Sequence, residues 1–220
     1  MIAIRKQPEP KSLVQHRSRA FSDYSNLPED AKQALRDALV SEQRGLCCYC
    51  MGRIRAARDG MKIEHWQCQD AHPDRQLDYS NLLAACFGGE NESGPKHCDT
   101  QKGDAALKYN PSEPKHQIAL RLRYTREGLI DSPDEEFRRQ LVAVLNLNLK
   151  VLSNARKAVY QEVIAWWGRM NGKHQGKVPA RVIQKKLSEY TKEHEYRPFV
   201  GVALWLLEPK LAKCKPAKRA

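Results

Sequence analysis

The sequence predicts an α+β protein in which a small core with little apolar bulk precedes a helical C-terminal region. Six of the seven cysteines fall between Cys47 and Cys98. The stretch from Leu46 to about Asn110 is rich in Cys, His, Gly and Asn and poor in aliphatic residues, so another source of stability is needed there. From Ser132 onward, apolar residues recur at helical spacing, which predicts packed helices.

The charge balance favours a polyanionic partner. The chain has 220 residues, with 38 basic and 26 acidic side chains and a net charge of +12. That length fits one globular domain with an appendage, or two small domains. A surplus of this size points to nucleic acid as the usual partner, although solubility alone is the plainer interpretation.

No apolar run approaches the roughly 20 residues that span a membrane. The first residues also lack the apolar stretch of a signal peptide. We therefore expect a cytoplasmic protein without a membrane association, in a compartment where thiols stay reduced. Clustered cysteines in such a protein indicate metal rather than disulfides.

The N-terminal third begins with a basic stretch. Residues 1–27 are rich in Pro and Ser, which predicts an arm with little regular structure. A helix follows, because Pro28 suits a first turn and Glu29 and Asp30 complement the helix dipole there. Gly45 is a suitable terminator for this helix.

The region after residue 110 is predicted to begin with a hairpin. Ile118, Leu120, Leu122 and Tyr124 alternate with polar residues, which is strand spacing, and "REG" suits a turn into a second short strand. The sequence therefore predicts a strand over 118–124.

Helices are predicted beyond this hairpin. Ser132 is the expected N-cap of the first, because Glu135 follows three positions later as in a capping box. Further helices are expected from Asn154 to Met170, from Pro179 onward, and in the apolar segment "PFVGVALWLLE". The predicted organisation is a basic arm, a core with its leading helix, and a hairpin with partner-binding helices, over residues 1–27, 28–110 and 111–220.

The cysteine pattern predicts a structural zinc site. Cys47 and Cys50 form a C-x-x-C in "CCYC", directly after the predicted helix. A thioredoxin-like redox pair needs a βαβ context, which this region lacks. Together with Cys86 and Cys98, the pair supplies the four ligands of tetrahedral zinc.

Between the two cysteine pairs lie polar residues that a purely structural zinc site does not need. Glu64 and His65 stand side by side in "KIEHW", and Asn81 lies in "DYSNLL". The structural alternatives are a hydrogen-bonded polar pair on a strand for Glu64 and His65, and a helix N-cap for Asn81. Their place between the cysteines favours a catalytic function.

At these motifs the chain resembles the HNH nucleases with a ββα-metal fold. The motifs are "CCYC", "KIEHW", "YSNLLAAC" and "HCDTQKG", over about residues 46–104. More narrowly, the chain resembles the HNH nuclease component of Septu-type and retron-associated anti-phage systems. The resemblance implies a zinc-stapled ββα-metal nuclease core, metal-dependent hydrolysis of phosphodiester bonds of nucleic acid, and an ABC-type ATPase partner, with any oligomer formed through that complex. DNA is favoured over RNA as the substrate, but the motifs do not decide between them.

The resemblance also implies roles for individual residues. His65 matches the general base, Glu64 the adjacent acidic ligand of a catalytic metal, and Asn81 the residue that orients the loop and the base. The expected structural zinc ligands are Cys47, Cys50, Cys86 and Cys98.

The third HNH position departs from the family pattern. If Lys102 sets the register, Cys98 takes the last zinc position, and Asp99 stands where the family has a histidine. Asp99 is favoured as second ligand of the catalytic metal, because a carboxylate suits Mg2+ or Mn2+. His97 is the alternative, either at this position or as a zinc or phosphate contact. Lys102 is an expected nucleic-acid contact.

Two other functions were weighed. A zinc-stabilised adaptor of an ATPase, binding nucleic acid without cutting it, gains nothing from Glu64 beside His65. A zinc deaminase needs an H-x-E and a P-C-x-x-C arrangement, which the sequence lacks. In the nuclease interpretation, the C-terminal helices, with adjacent Trp166 and Trp167, are expected to hold the ATPase.

Overall fold

The computed structural model describes residues 1–90 and 92–214. Its helices and strands, in chain order, are α1 (Lys11–Arg17), α2 (Glu29–Glu42), β1 (Lys62–His65), β2 (Leu82–Ala85), α3 (Cys98–Lys102), β3 (Arg123–Tyr124), β4 (Ile130–Asp131), α4 (Glu135–Arg139), α5 (Lys150–Lys173), α6 (Ala180–Tyr190) and α7 (Val200–Lys213). A π-helical segment, Gln140–Val144, continues α4, and four short 3-10 segments lie in the connections. The mixture of helices with small sheets agrees with the predicted α+β class.

Helix α2 begins and ends as its sequence predicts. Pro28 precedes the first turn, which carries Glu29 and Asp30. After the helix, Gly45 adopts a φ of 74° and donates its N–H to the Val40 carbonyl at 2.9 Å. The chain is thereby turned from the helix directly into the first cysteine pair.

Strands β1 and β2 form a two-stranded antiparallel sheet in which Glu64 pairs with Leu83. The buried Gln43 extends this sheet on its other side. Its side-chain amide donates to the Ala84 carbonyl at 2.8 Å and accepts from the Ala84 N–H at 2.7 Å. A side chain therefore satisfies the backbone groups that a third strand would otherwise pair.

Residues 1–27 have little regular structure, as expected, but they pack against the core instead of extending from it as an arm. The segment contains α1, and both Ile4 and Leu13 are buried. Lys6 donates to the Glu42 carboxylate at 2.6 Å, at the end of α2. The high charge of the segment obscured the few apolar side chains that attach it to the core.

The predicted strand over 118–124 is wrong for most of its length. Residues Ile118–Arg121 form a 3-10 turn after Gln117, whose φ is 47°. This turn rotates Leu120 into solvent while Leu122 becomes buried. Only the last two residues of the predicted strand form β3, which pairs with β4 as a minimal hairpin.

The predicted cap at Ser132 is also displaced. Helix α4 begins two residues later than expected, with Asp134 as its N-cap accepting the Phe137 N–H at 3.0 Å. Ser132 supports this turn by accepting the Asp134 N–H at 3.1 Å. Both residues suit a cap, and Asp134 is the one whose side chain reaches the third N–H of the helix.

Helix α7 packs against α5 and α6, and the segments that precede α5 and α7 contact the cysteine region. The Cys98 N–H donates to the Leu145 carbonyl at 2.9 Å, and the Phe199 N–H donates to the Met51 carbonyl at 3.0 Å. The domain boundary at residue 110 stays a prediction, and these hydrogen bonds cross it. Within residues 1–90 and 92–214, no helix has the length and apolar composition to cross a bilayer.

Candidate functional site

Four thiols form one compact cluster. Cys47 Sγ lies 3.9 Å from Cys98 Sγ, Cys50 Sγ lies 3.7 Å from Cys86 Sγ, and all four sulfurs lie within 4.8 Å of one another. Thiolates bound to zinc at about 2.3 Å stand about 3.8 Å apart across a tetrahedron, whereas a disulfide needs about 2.05 Å. The cluster therefore fits a metal ion such as zinc.

The first cysteine pair is shaped by a tight turn. The Cys47 N–H donates to the Gly52 carbonyl at 2.9 Å, and the Met51 N–H donates back to the Cys47 carbonyl at 3.1 Å. Met51 itself has a φ of 66°. The Gly52 N–H donates to Cys50 Sγ at 3.3 Å.

Ionisation is favoured at one thiol of the cluster and opposed at two others. A hydrogen bond with Cys47 raises the pKa of Cys86, and burial raises the pKa of Cys98. Burial opposes the charge on Cys47, but hydrogen bonds from neighbouring thiols outweigh it and lower the pKa of Cys47 well below its ordinary value. One thiolate is the form that begins metal binding.

The second cysteine pair is separated by the insert that begins at Phe87. The His97 N–H donates to the Gly88 carbonyl at 3.0 Å, which closes the insert at its base. A Cβ at position 88 would lie 1.9 Å from the His97 carbonyl oxygen, so this close approach requires glycine. Nδ1 of His97 lies 3.1 Å from Cys98 Sγ, and the imidazole is therefore turned toward the thiol cluster.

An open cleft of about 510 Å³ lies between β1 and α3, beside the cluster. Glu64, His65, Asp99 and Lys102 all line it. The structure thus brings these four predicted residues to one place. Asn81 lies behind the cleft, and His97 faces the thiols.

Glu64 is buried at the base of this cleft. Its Oε1 accepts the Tyr49 hydroxyl at 2.6 Å and lies 2.9 Å from Lys102 Nζ. It also shares a hydrogen bond with Asp99. Burial, followed by the neighbouring Asp99 carboxylate, raises the pKa of Glu64 well above its ordinary value.

Asp99 is the more acidic member of the carboxylate pair. Burial opposes its ionisation, but the hydrogen bond with Glu64 and the ammonium of Lys62 hold the pKa of Asp99 below its ordinary value. Lys62 Nζ lies 2.8 Å from Asp99 Oδ2. Two cations, Lys62 and Lys102, therefore compensate the charge of the two carboxyl groups.

The carboxylate pair fits a divalent metal of the Mg2+ or Mn2+ type by its donors. Glu64 and Asp99 offer hard oxygen atoms on one side of an open cleft, where water and a phosphate can complete the coordination. A metal ion here competes with the two lysines for the same oxygens. The Lys102 side chain is 1% exposed and its Nζ also donates to the His65 carbonyl, so a phosphate reaches it only after this pair opens.

His65 is held as a neutral base. Nε2 lies 3.0 Å from the Gln76 carbonyl, which only accepts, so Nε2 carries the proton. Nδ1 therefore has the lone pair, and it accepts the Gln69 amide at 2.9 Å. Burial lowers the pKa of His65, and the Tyr24 ring packs edge-on against the imidazole with 4.6 Å between centroids.

Asn81 holds the loop that orients His65. Its Oδ1 accepts the Gln67 N–H at 2.8 Å, and its Nδ2 donates to the Gln67 carbonyl at 3.0 Å and to the Arg75 carbonyl at 3.2 Å. Arg75 precedes Gln76, whose carbonyl receives the imidazole N–H. Asn81 thus positions the group that positions His65.

Several residues that complete the site were not predicted from the sequence. Lys62 lies two positions before Glu64 on β1, and the period of a strand places both on one face, a signal that could have found it. Tyr49 inside "CCYC" offered a weaker signal. Nothing in the local sequence marks Gln69 or Tyr24, because their contacts with His65 arise from the fold.

Comparison with known proteins shows a similarity over part of the chain. No family model matches the chain. It is 23% identical over 113 residues to the Septu protein PtuB of Bacillus thuringiensis. The aligned part covers 50% of this chain and 40% of that protein. The chain is thus similar to a Septu protein over half of its own length and under half of the relative's.

Proposed function

We propose that this chain is a metal-dependent HNH endonuclease that hydrolyses phosphodiester bonds of nucleic acid, DNA rather than RNA, in an anti-phage defence complex. The observation that carries the proposal is the cleft itself. It joins a neutral histidine with a lone pair on Nδ1 to two carboxyl groups, beside four clustered thiols. The order β1, β2, α3 and the similarity to a Septu protein support the same assignment.

In the proposed reaction, His65 Nδ1 takes the proton of the attacking water. Gln69 gives up its hydrogen bond to that lone pair as the water arrives. The Gln76 carbonyl then stabilises the imidazolium through the Nε2–H, and Asn81 keeps that carbonyl in place. Mg2+ or Mn2+ on Glu64 and Asp99 would supply positive charge for the phosphate and the leaving oxygen.

The cysteine cluster has a structural role in this proposal. A zinc ion with four thiolates has no open coordination position, so it stabilises the site without taking part in the chemistry. The third HNH position is proposed to be Asp99, supported by its place in the cleft, while His97 supports Cys98. Lys102, once released from Glu64, is proposed to contact a phosphate.

The partner proposal rests on the resemblance to Septu-type systems. Residues 28–110 would act as the nuclease core, and the helices after it would hold an ABC-type ATPase. Helix α5 supports this with exposed apolar side chains at Val151 and Ile164. Replacing both by Lys should abolish co-purification with the ATPase and leave zinc content unchanged, whereas Leu120→Lys, on another exposed apolar residue, should keep the complex.

The decisive experiment compares wild-type protein with His65→Ala. Duplex DNA, single-stranded DNA and tRNA are incubated with each protein and Mn2+, with and without the ATPase. We expect wild-type cleavage and a loss of about 10²- to 10⁴-fold in the variant, because a positioned general base contributes that much. Circular dichroism and zinc content are the controls for folding. Wild-type protein that binds nucleic acid and never cuts it would support the adaptor instead.

A further inference from the structure

Phe21 stands out among the exposed residues of the described chain. Its side chain is 96% exposed, and its backbone has a φ of 58°, a conformation that disfavours bulky residues. Asn26 Nδ2 donates to the Phe21 carbonyl at 2.8 Å, and Asp23 Oδ1 accepts the Asn26 N–H at 2.8 Å. The loop is therefore a turn held by hydrogen bonds, and it exposes an aromatic ring to solvent.

This turn is attached to the candidate active site. Tyr24 packs its ring edge against the His65 imidazole, and its N–H donates to Gln76 Oε1 at 3.1 Å. Three residues of extended chain span at most about 11 Å. The backbone of Phe21 therefore lies within about 11 Å of Tyr24, the residue that packs against His65 in the lining of the cleft.

The charge of the chain suits a polyanion. The chain has a net charge of +12. Near Phe21, Arg17 is paired with Glu9 at 2.8 Å, and Arg19 and Asp23 stand two positions before and after the ring. Arg19 is exposed. The direct neighbours of Phe21 are Ala20 and Ser22, so the ring stands alone and is not part of an apolar run.

We propose that Phe21 stacks on a nucleobase of the bound nucleic acid, next to the cleft. This inference rests on the proposed nuclease function and adds a specificity determinant to it. A single exposed ring on a chain with a net charge of +12 suits base stacking, since every base has a π-face and the cations of the chain attract the phosphates. A protein partner would instead favour an aromatic anchor surrounded by other contact residues.

Stacking of this kind requires a base that is not already covered on both faces. Bases in single strands, bulges and distorted duplexes meet that condition, whereas bases inside regular duplexes do not. The turn thus selects nucleic acid with an unpaired base within a few nucleotides of the cleavage site.

Fluorescence anisotropy and 2-aminopurine emission test the proposal. Oligonucleotides with one 2-aminopurine at successive unpaired positions are titrated, without divalent cation, with wild type, Phe21→Ala, Phe21→Trp and the control Leu120→Ala. We expect Phe21→Ala to lower the affinity for unpaired DNA or RNA about tenfold and to abolish quenching at one position. Phe21→Trp should keep both properties, and Leu120→Ala should match wild type.

A folding control and three contrary results separate the explanations. Phe21→Gly should lose affinity while its melting temperature stays equal or rises, because glycine tolerates a positive φ. Equal affinity and quenching for wild type and Phe21→Ala, with wild-type cleavage intact, overturns the role of Phe21 and leaves the nuclease standing. If Phe21→Ala loses only its binding to the ATPase, the ring contacts the protein partner and not a nucleobase. Wild type that neither binds nor cuts nucleic acid overturns both proposals.

Discussion

The cleft region and the C-terminal helices are stabilised in different ways. Around the cleft, several buried groups are polar: Glu64 is 3% exposed, Asn81 1% and Lys102 4%, each paired with another polar group. In the helices, most buried groups are apolar side chains such as Val163, and the buried Arg156 is an exception. The stability of the cleft region therefore depends on metal ligands and on hydrogen bonds between buried polar groups. The stability of the helices depends on the apolar area that they remove from water.

Removing one of the four clustered thiols should give the largest difference in stability between the cleft region and the helices. Cys50→Ala leaves three ligands, and structural zinc contributes roughly 10–16 kcal/mol to small metal domains. We expect loss of bound zinc and of amide protection over residues 46–110, with α5, α6 and α7 retaining most of theirs. Hydrogen exchange and elemental analysis provide the measurement, and Cys68→Ala, outside the cluster, serves as the control. Equal loss of protection in the helices would show that they depend on the metal as well.

The next largest effect is expected from substituting Asp99 or His97, which tests which of them is the third HNH residue. The effect should be on cleavage and not on zinc binding. Asp99→Ala should lower the cleavage rate by at least about 100-fold and keep zinc, because a carboxylate of the proposed Mg2+ site is lost. His97→Ala should cut at nearly the wild-type rate, since its imidazole faces Cys98. Cleavage assays and zinc content decide between them. A dead His97 variant with zinc retained, next to an active Asp99 variant, would reverse the assignment.

Asn81 and Ile183 provide a matched pair from the two regions. Asn81→Ala leaves partly buried backbone groups of Gln67 and Arg75 without partners, which should cost about 2 kcal/mol of stability and also slow cleavage. Ile183→Val should cost about 1 kcal/mol and leave cleavage unchanged. Urea unfolding and cleavage rates measured on both variants check this. Equal cleavage by both variants at equal fraction folded would remove the positioning role of Asn81.

The smallest expected effect is the pH dependence of an ion pair in the helices. Burial opposes ionisation of Glu162, but its hydrogen bonds from Arg197 and Lys186 lower its pKa to about 2. A carboxyl group with a lowered folded pKa stabilises the protein above its unfolded value of 4.5 and loses that contribution as the pH falls toward 2.

Glu162→Gln should therefore flatten the stability curve in that window. The effect should be small and reduced by salt, because the Glu162 side chain is 39% exposed. Thermal melts from pH 5 to pH 2 at low and high ionic strength provide the comparison. An unchanged slope in the variant would place the acid sensitivity elsewhere in the chain.

Local signals predicted the parts of the fold that depend on neighbours in sequence. The start of α2 and its end at Gly45 follow from turn and dipole chemistry, which acts over one helical turn. The strand predicted over 118–124 failed for the opposite reason. Its alternating pattern is compatible with a strand, but the left-handed Gln117 and the burial of Leu122 select a 3-10 turn.

The sequence alone determined which donors are present near the site: four thiols, two histidines, two acidic residues and an asparagine, in the order of the motif. Only the tertiary structure decided where each of them points. It turned Asp99 toward Glu64 and His97 toward Cys98, although the three residues from His97 to Asp99 are consecutive. It also brought Gln69 and Tyr24 to His65. The physical reason is that donor identity is a property of each residue, whereas direction and burial depend on contacts between segments distant in the chain.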